Sequence, residues 1–199
     1  QDVGRMSREF LCADQAGAYE ALSEHGVEPT WVAGISIGAI NCAIIAGNAP
    51  ERRVEQLRHY WEMVSDSGER GFVDRWLELW PGHEARRFAN QLVSGMILTH
   101  GVPGFFQPRI PPPYLAACGP DATSWYDASG LRRTLEAIVD FDRINARETR
   151  VSVGAVEIKT GNFAYFDNAT ETIQVDHVLA SCALPPAFAP VNIDGKSYW

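Results

Sequence analysis

The sequence has few cysteines, no concentration of positive charge and no long hydrophobic run. Its four cysteines, Cys12, Cys42, Cys118 and Cys182, form no Cys-x-x-Cys motif and have no paired histidines nearby. This spacing argues against a structural zinc site and against a disulfide framework. Cys42 and Cys182 lie among apolar neighbours and are expected to be buried, and the cysteine usage favours a reducing compartment.

The charge balance and the hydropathy exclude two further classes. Asp and Glu number 25 against 17 Lys and Arg, a net charge of −8, whereas a nucleic-acid surface needs clustered positive charge. Arg52 and Arg53 follow an acidic residue and predict a solvated helix face. The most apolar stretch, residues 33–47, is too short to cross a bilayer, and no signal peptide is visible. We therefore expect a cytoplasmic protein.

What is present is an ordinary globular composition with a length suited to one domain. The chain has 199 residues, of which 46% are hydrophobic and 21% are charged. We predict a single domain over residues 1–199, with no internal repeat and no second-domain boundary. The sequence starts at Gln1 and stops at Trp199 inside a predicted strand, so we expect a fragment that is incomplete at both ends.

One motif carries chemistry. An apolar run leads into Gly34-x-Ser36-x-Gly38, and a small, apolar, helix-compatible run leads out. This order is typical of a nucleophile elbow, in which a strand turns sharply into a helix and a serine lies on the turn. Gly34 and Gly38 are predicted to be sterically required, since a Cβ at either position would crowd the strand–helix crossing. The helix N-terminus behind the serine favours a developing oxyanion.

Periodicity, caps and turn signals predict an alternation of helices and strands. Helices are predicted over 13–25, 37–47, 50–64, 83–99, 129–138 and 176–182, strands over 31–34, 151–155, 162–166 and 171–175, and a hairpin over 191–199. Tyr19 and Leu22 are predicted on the buried face of the first helix, which Gly26 ends. Ser129 is the predicted N-cap of its helix. The Pro/Gly-rich connection 101–125 predicts a lid, a rim of the substrate site or a surface excursion.

A serine is a weak nucleophile unless a neighbouring group accepts its proton, and the residues leave several arrangements open. A Ser-His-Asp esterase or thioesterase could use Ser36, Asp167 and His177, which follow the chain order of such hydrolases. A Ser-Asp dyad is the second arrangement. The third alternative is a non-catalytic remnant that acts as a binding module.

The motif and its surroundings resemble the patatin-like phospholipases of bacterial type. The resemblance extends over nearly the whole chain and is carried by residues 17–22, 34–41, 46–48, 141–145, 160–163, 180–188 and 193–199. It implies an α/β class fold of three layers, α/β/α, around a central, mostly parallel sheet. It also implies a serine acyl hydrolase of the phospholipase A type, which cleaves lipid esters through an acyl-enzyme.

The resemblance also implies roles for the elbow residues. Ser36 would be the nucleophile, the backbone N–H of Ile37 would hold the oxyanion with a glycine-rich loop, and Gly34 and Gly38 would shape the turn. The serine proton would go to an aspartate of an Asp-Gly-Gly or Asp-Gly-Ala motif, without histidine, metal or cofactor. The implied partner is a lipid or small ester, with at most a peripheral membrane contact. Apolar residues of the connection could make that contact or be buried: Phe105, Phe106, Ile110, Tyr114 and Leu115.

Two features depart from this family pattern. The window that should hold the glycine-rich oxyanion loop, residues 7–12, contains no glycine, and losing one oxyanion donor costs roughly 10²–10³ in rate. The catalytic Asp-Gly motif is expected just after Trp199, because Asp194-Gly195 is predicted to be a hairpin turn. We therefore expect this chain by itself to be inactive or impaired.

Overall fold

The computed structural model describes residues 13–65, 98–110 and 124–199. In chain order the elements are α1 (Ala13–Glu24), β1 (Trp31–Ile35), α2 (Ile37–Ala46), α3 (Pro50–Ser65), β2 (Gln107–Pro108), β3 (Tyr126–Asp127), α4 (Ser129–Ile138), α5 (Phe141–Asn145), β4 (Arg150–Val156), β5 (Phe163–Asp167), α6 (Val175–Cys182), β6 (Val191–Ile193) and β7 (Lys196–Tyr198). The predicted mixed α/β class is confirmed.

The central sheet is only partly parallel. Its strand order is β1-β4-β5, and β1 runs parallel to β4 with Trp31 opposite Arg150 and Ile35 opposite Gly154. β5 runs antiparallel to β4. The expectation of a mostly parallel sheet is therefore wrong for the described strands. A short connection such as the one between β4 and β5 can only return the chain antiparallel, whereas the helices between β1 and β4 allow a parallel crossover.

The two faces of this sheet lie in different environments. One face packs under α2 and α6, and Val151, Val153 and Phe166 on that face are buried. On the other face the side chains of Trp31 and Tyr165 are 56% and 64% exposed. In the described ranges, helices therefore cover one face, and the third layer implied by the resemblance is not among them.

Helix α2 is the centre of the core. Its residues from Ala39 to Ala46 are all buried, which fits a helix that is apolar on every side. The neighbouring helix α3 buries Leu57, Tyr60 and Trp61 against it. The predicted helix after the elbow is thus confirmed, and it packs between the sheet and α3.

Arg53 corrects the prediction of a solvated charged face on α3. Its side chain is only 3% exposed. The guanidinium donates to the Glu28 carboxylate at 2.6 Å, to the Asn48 carbonyl at 3.1 Å and to the Thr149 hydroxyl at 3.3 Å. A buried charge is tolerated when it is paired and hydrogen-bonded in this way. Local periodicity contains no information about the distant Glu28 and Thr149.

The ends of two helices are set by backbone hydrogen bonds. Gly26 has φ +71°, and the N–H of Val27 donates to the Leu22 carbonyl at 2.9 Å, which is the Schellman pattern and confirms the predicted stop. Leu22 itself is 46% exposed, so its predicted burial is wrong. Ser129 is not the N-cap of α4 but its first helical residue, and Ala128 occupies the N-cap position. The N–H of Ser129 donates to the Asp127 carboxylate at 2.8 Å.

Two predictions about the last third of the chain have opposite outcomes. The expected strand over 171–175 is wrong, because the Asn145 side chain binds both the N–H and the C=O of Ile173 and leaves no ladder to form. The hairpin is confirmed: β6 and β7 pair antiparallel. Asp194 and Gly195 have φ of 50° and 78°, as a type I′ turn requires at both central positions.

The connection over 101–125 is fastened at both of its described ends. β2 pairs with β3, and Phe106 is buried in an aromatic cluster with Tyr126 and Phe188. Of the residues with open alternatives, Phe106 is buried and Phe105 is half-buried against the core, while Ile110 is 93% exposed. Tyr114 and Leu115 lie outside the described residues, as does nearly all of the predicted helix over 83–99.

Candidate active site

Ser36 lies at a sharp bend between β1 and α2. Its backbone has φ 54° and ψ −119°, and the residue is exposed. Positive φ is uncommon for a residue with a side chain and costs of order 1–3 kcal/mol, so it persists only where the surrounding structure enforces it. The bend therefore holds the serine hydroxyl at the surface, above the first turn of a buried helix.

The two glycines of the motif are not equivalent. A Cβ at Gly34 would lie 2.2 Å from the carbonyl carbon of Gly38 and 2.7 Å from the Ala39 nitrogen. Among the described residues outside α2, a Cβ at Gly38 would meet only the Gln15 amide oxygen, at an ordinary 3.8 Å. The steric argument therefore holds for Gly34 and is wrong for Gly38, because the strand approaches the helix on one side only.

The C-terminal turn of α6 holds both backbone polar groups of Ser36. The Ser181 hydroxyl accepts the Ser36 N–H at 2.8 Å and donates to the Gly154 carbonyl at 2.6 Å. The Cys182 thiol donates to the Ser36 carbonyl at 3.4 Å, and burial raises its pKa to about 12, so it is a neutral donor at pH 7. Sequence reasoning assigned no role to either residue, and the only signal was their place in the resemblance block 180–188.

Two backbone donors of the elbow face no described acceptor. The carbonyl of Ser36 accepts from Ala39 and Ile40, which begins the α2 ladder. The N–H groups of Ile37 and Gly38 make no hydrogen bond within the described part of the chain. Free N–H groups at a helix N-terminus stabilise a negative charge that lies next to them.

The predicted alternative of a Ser-His-Asp triad is not assembled. The Asp167 carboxylate binds Arg150 at 2.8 Å and Ser152 at 2.7 Å. In the sheet, Asp167 lies level with Ala33, which is about 10 Å along β1 from Ser36. His177 is 5% exposed. No hydrogen bond joins any two of the three triad residues.

His177 has a structural partner instead. Its Nδ1 accepts the N–H of Gln174 at 2.9 Å in a capping box at the start of α6. Its ring lies edge-on against Phe166, with the ring centroids 4.5 Å apart. His177 is one helical turn before Ser181, about 6 Å along the helix axis, and it faces the core rather than the elbow.

The β6–β7 hairpin finishes at the end of the sheet that carries Ser36. Trp199 and Val156 exchange both backbone hydrogen bonds, at 2.7 and 3.0 Å. Val156 lies two residues beyond Gly154, which is the partner of Ile35 at the end of β1. Asp194 is in the turn at the opposite end of the hairpin.

A comparison with protein families identifies this arrangement. Residues 10–199 match the family model described as patatin-like phospholipase. The chain belongs to the patatin-like phospholipase family. The resemblance drawn from the sequence is thereby confirmed, and membership implies an α/β/α fold and a lipid acyl hydrolase. No curated protein gives a significant match.

Further features of this patatin-like chain bear on its substrate. A cavity of about 230 Å³ lies against α6. Its lining includes the apolar residues Phe105, Leu179 and Phe188, together with Cys182, Arg109 and Arg132.

In residues 13–65, 98–110 and 124–199 no three His, Cys, Asp or Glu side chains are grouped as metal ligands. Within the same ranges no helix is long and apolar enough to cross a bilayer.

Proposed function

We propose that this chain, as a single patatin-like domain, is a serine hydrolase that cleaves acyl esters of lipids, with Ser36 as the nucleophile and with a rate impaired by the lack of a glycine in the window 7–12. The observation that carries the proposal is the strained backbone of Ser36, with φ 54° in an exposed bend between β1 and α2. Such strain is typical of functional sites, where the surrounding structure maintains it. Family membership supports the same chemistry.

The proposed reaction has two halves. The Ser36 oxygen attacks the ester carbonyl and loses its proton, and the resulting oxyanion lies next to the Ile37 and Gly38 N–H groups. Collapse expels the alcohol, which takes up a proton, and leaves the acyl group on Ser36. Water then attacks the acyl-enzyme, releasing the carboxylic acid and restoring the hydroxyl. The proton acceptor in this proposal is the aspartate of the dyad that the family uses.

The cavity against α6 supports an apolar acyl group as the part of the substrate next to the elbow. Cys182 both lines this cavity and contacts the Ser36 carbonyl. Phe105, Leu179 and Phe188 provide apolar walls of the kind that bind hydrocarbon chains. An ester whose acyl chain occupies this space has its carbonyl at the side of the cavity closest to the bend.

The proposal is tested by covalent labelling of Ser36 with a fluorophosphonate, because that reaction requires an activated serine hydroxyl. We expect labelling of the wild type and of Ser152→Ala, and none of Ser36→Ala, with the adduct mapped to Ser36 by peptide mass spectrometry. Hydrolysis of p-nitrophenyl butyrate is measured in parallel. Equal labelling of wild type and Ser36→Ala, or no labelling of the folded wild type, would show that Ser36 is not an activated nucleophile.

A further inference from the structure

Three side chains form a hydrogen-bonded chain that ends beside the elbow. The Trp61 indole N–H donates to the Asn41 amide oxygen at 3.0 Å. The Asn41 amide nitrogen donates to the Gln15 amide oxygen at 3.2 Å. Trp61 and Asn41 are buried, at 9% and 4% exposure, whereas Gln15 is exposed. The chain thus connects the core of α3 to the surface through α2.

The direction of this chain is fixed by chemistry. An indole N–H can only donate, so the Asn41 side chain must present its oxygen to Trp61 and its NH₂ group to Gln15. Gln15 must then present its oxygen to Asn41. The amide orientation that is ambiguous for an isolated glutamine is therefore determined here, and the Gln15 NH₂ group is directed away from Asn41.

The free end of Gln15 lies on the side of the elbow that Gly38 leaves open. Among the described residues outside α2, the Gln15 amide oxygen is the one atom that a Cβ on Gly38 would meet, at 3.8 Å. The Gln15 NH₂ group makes no hydrogen bond to any residue in the described ranges. Beside it, the Ile37 and Gly38 N–H groups also lack a described acceptor. The Gln15 side chain and these two N–H groups thus lie at the first turn of α2.

We infer that the Gln15 side-chain amide donates a hydrogen bond to the oxyanion of the tetrahedral intermediate. This rests on the proposed function, because it assigns a catalytic residue for the same reaction. The window 7–12, where the family has its glycine-rich oxyanion loop, contains no glycine. In this chain the Gln15 amide on α1 provides one of the hydrogen bonds to the oxyanion that the backbone N–H groups of a glycine-rich loop provide in the family. The Asn41–Trp61 pair fixes the orientation of that amide before substrate binds.

The test compares Gln15→Leu, Gln15→Glu and the matched control Gln56→Leu on α3. The readouts are kcat and KM with p-nitrophenyl butyrate and the rate of fluorophosphonate labelling at Ser36, whose phosphonyl oxygen resembles the oxyanion. We expect Gln15→Leu to lower kcat and the labelling rate about 100-fold, since one oxyanion donor is removed, with KM changed less than threefold. Gln56→Leu retains both rates.

Gln15→Glu keeps the size of the side chain and its acceptor for Asn41 but puts a carboxylate where the donor was. We expect a loss at least as large as for Gln15→Leu at pH 8, with partial recovery near pH 5 as the carboxyl group is protonated. The Tm of each variant is measured by thermal melting. If one Gln15 variant loses both Tm and activity, its loss of activity reflects unfolding, and the role of Gln15 is decided by the other variant.

The outcomes separate this inference from the function on which it rests. If Ser36→Ala abolishes labelling while both Gln15 variants label within threefold of the wild-type rate, Ser36 is the nucleophile and the role of Gln15 is disproved. If the wild type neither hydrolyses the ester nor labels at Ser36, the proposed function fails, and the role of Gln15 fails with it.

Discussion

Two serines lie on the same pair of parallel strands, one level with the middle of β1 and one just beyond its end, and they differ in exposure, backbone conformation and hydrogen bonding. Ser152 is in the regular strand β4, is 5% exposed and donates to the Asp167 carboxylate at 2.7 Å. Ser36 follows β1, is exposed and has a positive φ. Ser152 therefore has a carboxylate contact without an accessible hydroxyl, whereas Ser36 has an accessible hydroxyl on a strained turn.

The comparison shows why a serine–aspartate hydrogen bond does not by itself identify a nucleophile. The Asp167 carboxylate also binds Arg150 at 2.8 Å, and this hydrogen bond chiefly lowers its pKa to about 2. A carboxylate that holds its proton so weakly is a poor base at neutral pH. Ser152 also accepts from the Trp31 indole at 2.9 Å. The hydrogen-bonding groups around Ser152 are thus all paired with one another, whereas backbone donors remain available at the elbow.

The largest expected effect comes from adding a methyl group at Gly34. Gly34→Ala puts a Cβ 2.2 Å from the Gly38 backbone, so the elbow must open, and we expect a loss of about 3 kcal/mol or more in the free energy of unfolding. Gly38→Ala is the matched control, with a Cβ in ordinary contact only. Because alanine is the better helix residue, it should leave the stability unchanged or raise it by up to about 1 kcal/mol. Urea denaturation of both variants measures the difference, and equal destabilisation would contradict the asymmetry.

Removal of the Ser181 hydroxyl should affect the elbow next most strongly. Ser181→Ala leaves the N–H of Ser36 without its 2.8 Å acceptor, and a buried unsatisfied donor costs about 1–3 kcal/mol. The bend then loses one of its two clamps, so the rate of fluorophosphonate labelling at Ser36 should fall as well. Cys182→Ala removes only a weak thiol donor and should cost less on both measures. A larger effect from Cys182→Ala would reverse this assignment.

For the carboxylate that binds Ser152, the expected effect is a change of stability with pH. The Arg150 guanidinium chiefly lowers the pKa of Asp167 from 3.8 to about 2 in the folded chain. The native state thus favours the charged carboxylate, so this contribution is fully present above the unfolded pKa and is lost as the pH falls from about 4 to 2. Thermal melts of the wild type and Asp167→Asn should differ by a constant amount above about pH 5, and the difference should shrink below pH 4. A pH-independent difference would rule out this linkage.

The smallest expected effect on activity is that of His177. It caps α6 through Gln174 and contacts Phe166, so His177→Gln should reduce stability modestly while esterase activity per folded molecule stays within about threefold. A Ser-His-Asp mechanism requires the opposite, a loss of about 10³-fold or more. Esterase activity is divided by the concentration of active sites, which is obtained by titration with a fluorophosphonate. This ratio distinguishes a structural role of His177 from a Ser-His-Asp mechanism.

Much of the fold around the elbow could be predicted from local sequence. The Gly34-x-Ser36-x-Gly38 spacing located the turn between a strand and a helix, and the apolar run after it predicted α2. Asp194-Gly195 predicted a type I′ hairpin. These predictions were correct because each depends on residues that are adjacent in the chain and on backbone angles that few residue types adopt.

Several of the errors involve partners that are distant in the sequence. Arg53 is buried because Glu28 and Thr149 accept its donors. Ile173 forms no strand because the Asn145 side chain satisfies its backbone. A Cβ on Gly38 would be in ordinary contact because the Gln15 amide oxygen on α1 lies 3.8 Å away. Each result depends on which elements come together, and periodicity carries no such information.

The sequence by itself determined the position of the bend, the identity of its serine and the family to which the chain belongs. Only the tertiary structure decided that Ser181 and Cys182 clamp that bend, that Asp167 and His177 bind partners other than Ser36, and that the Gln15 side chain lies beside the first turn of α2. The reason is that a turn is specified by the local torsion angles, whereas hydrogen-bond partners are specified by packing.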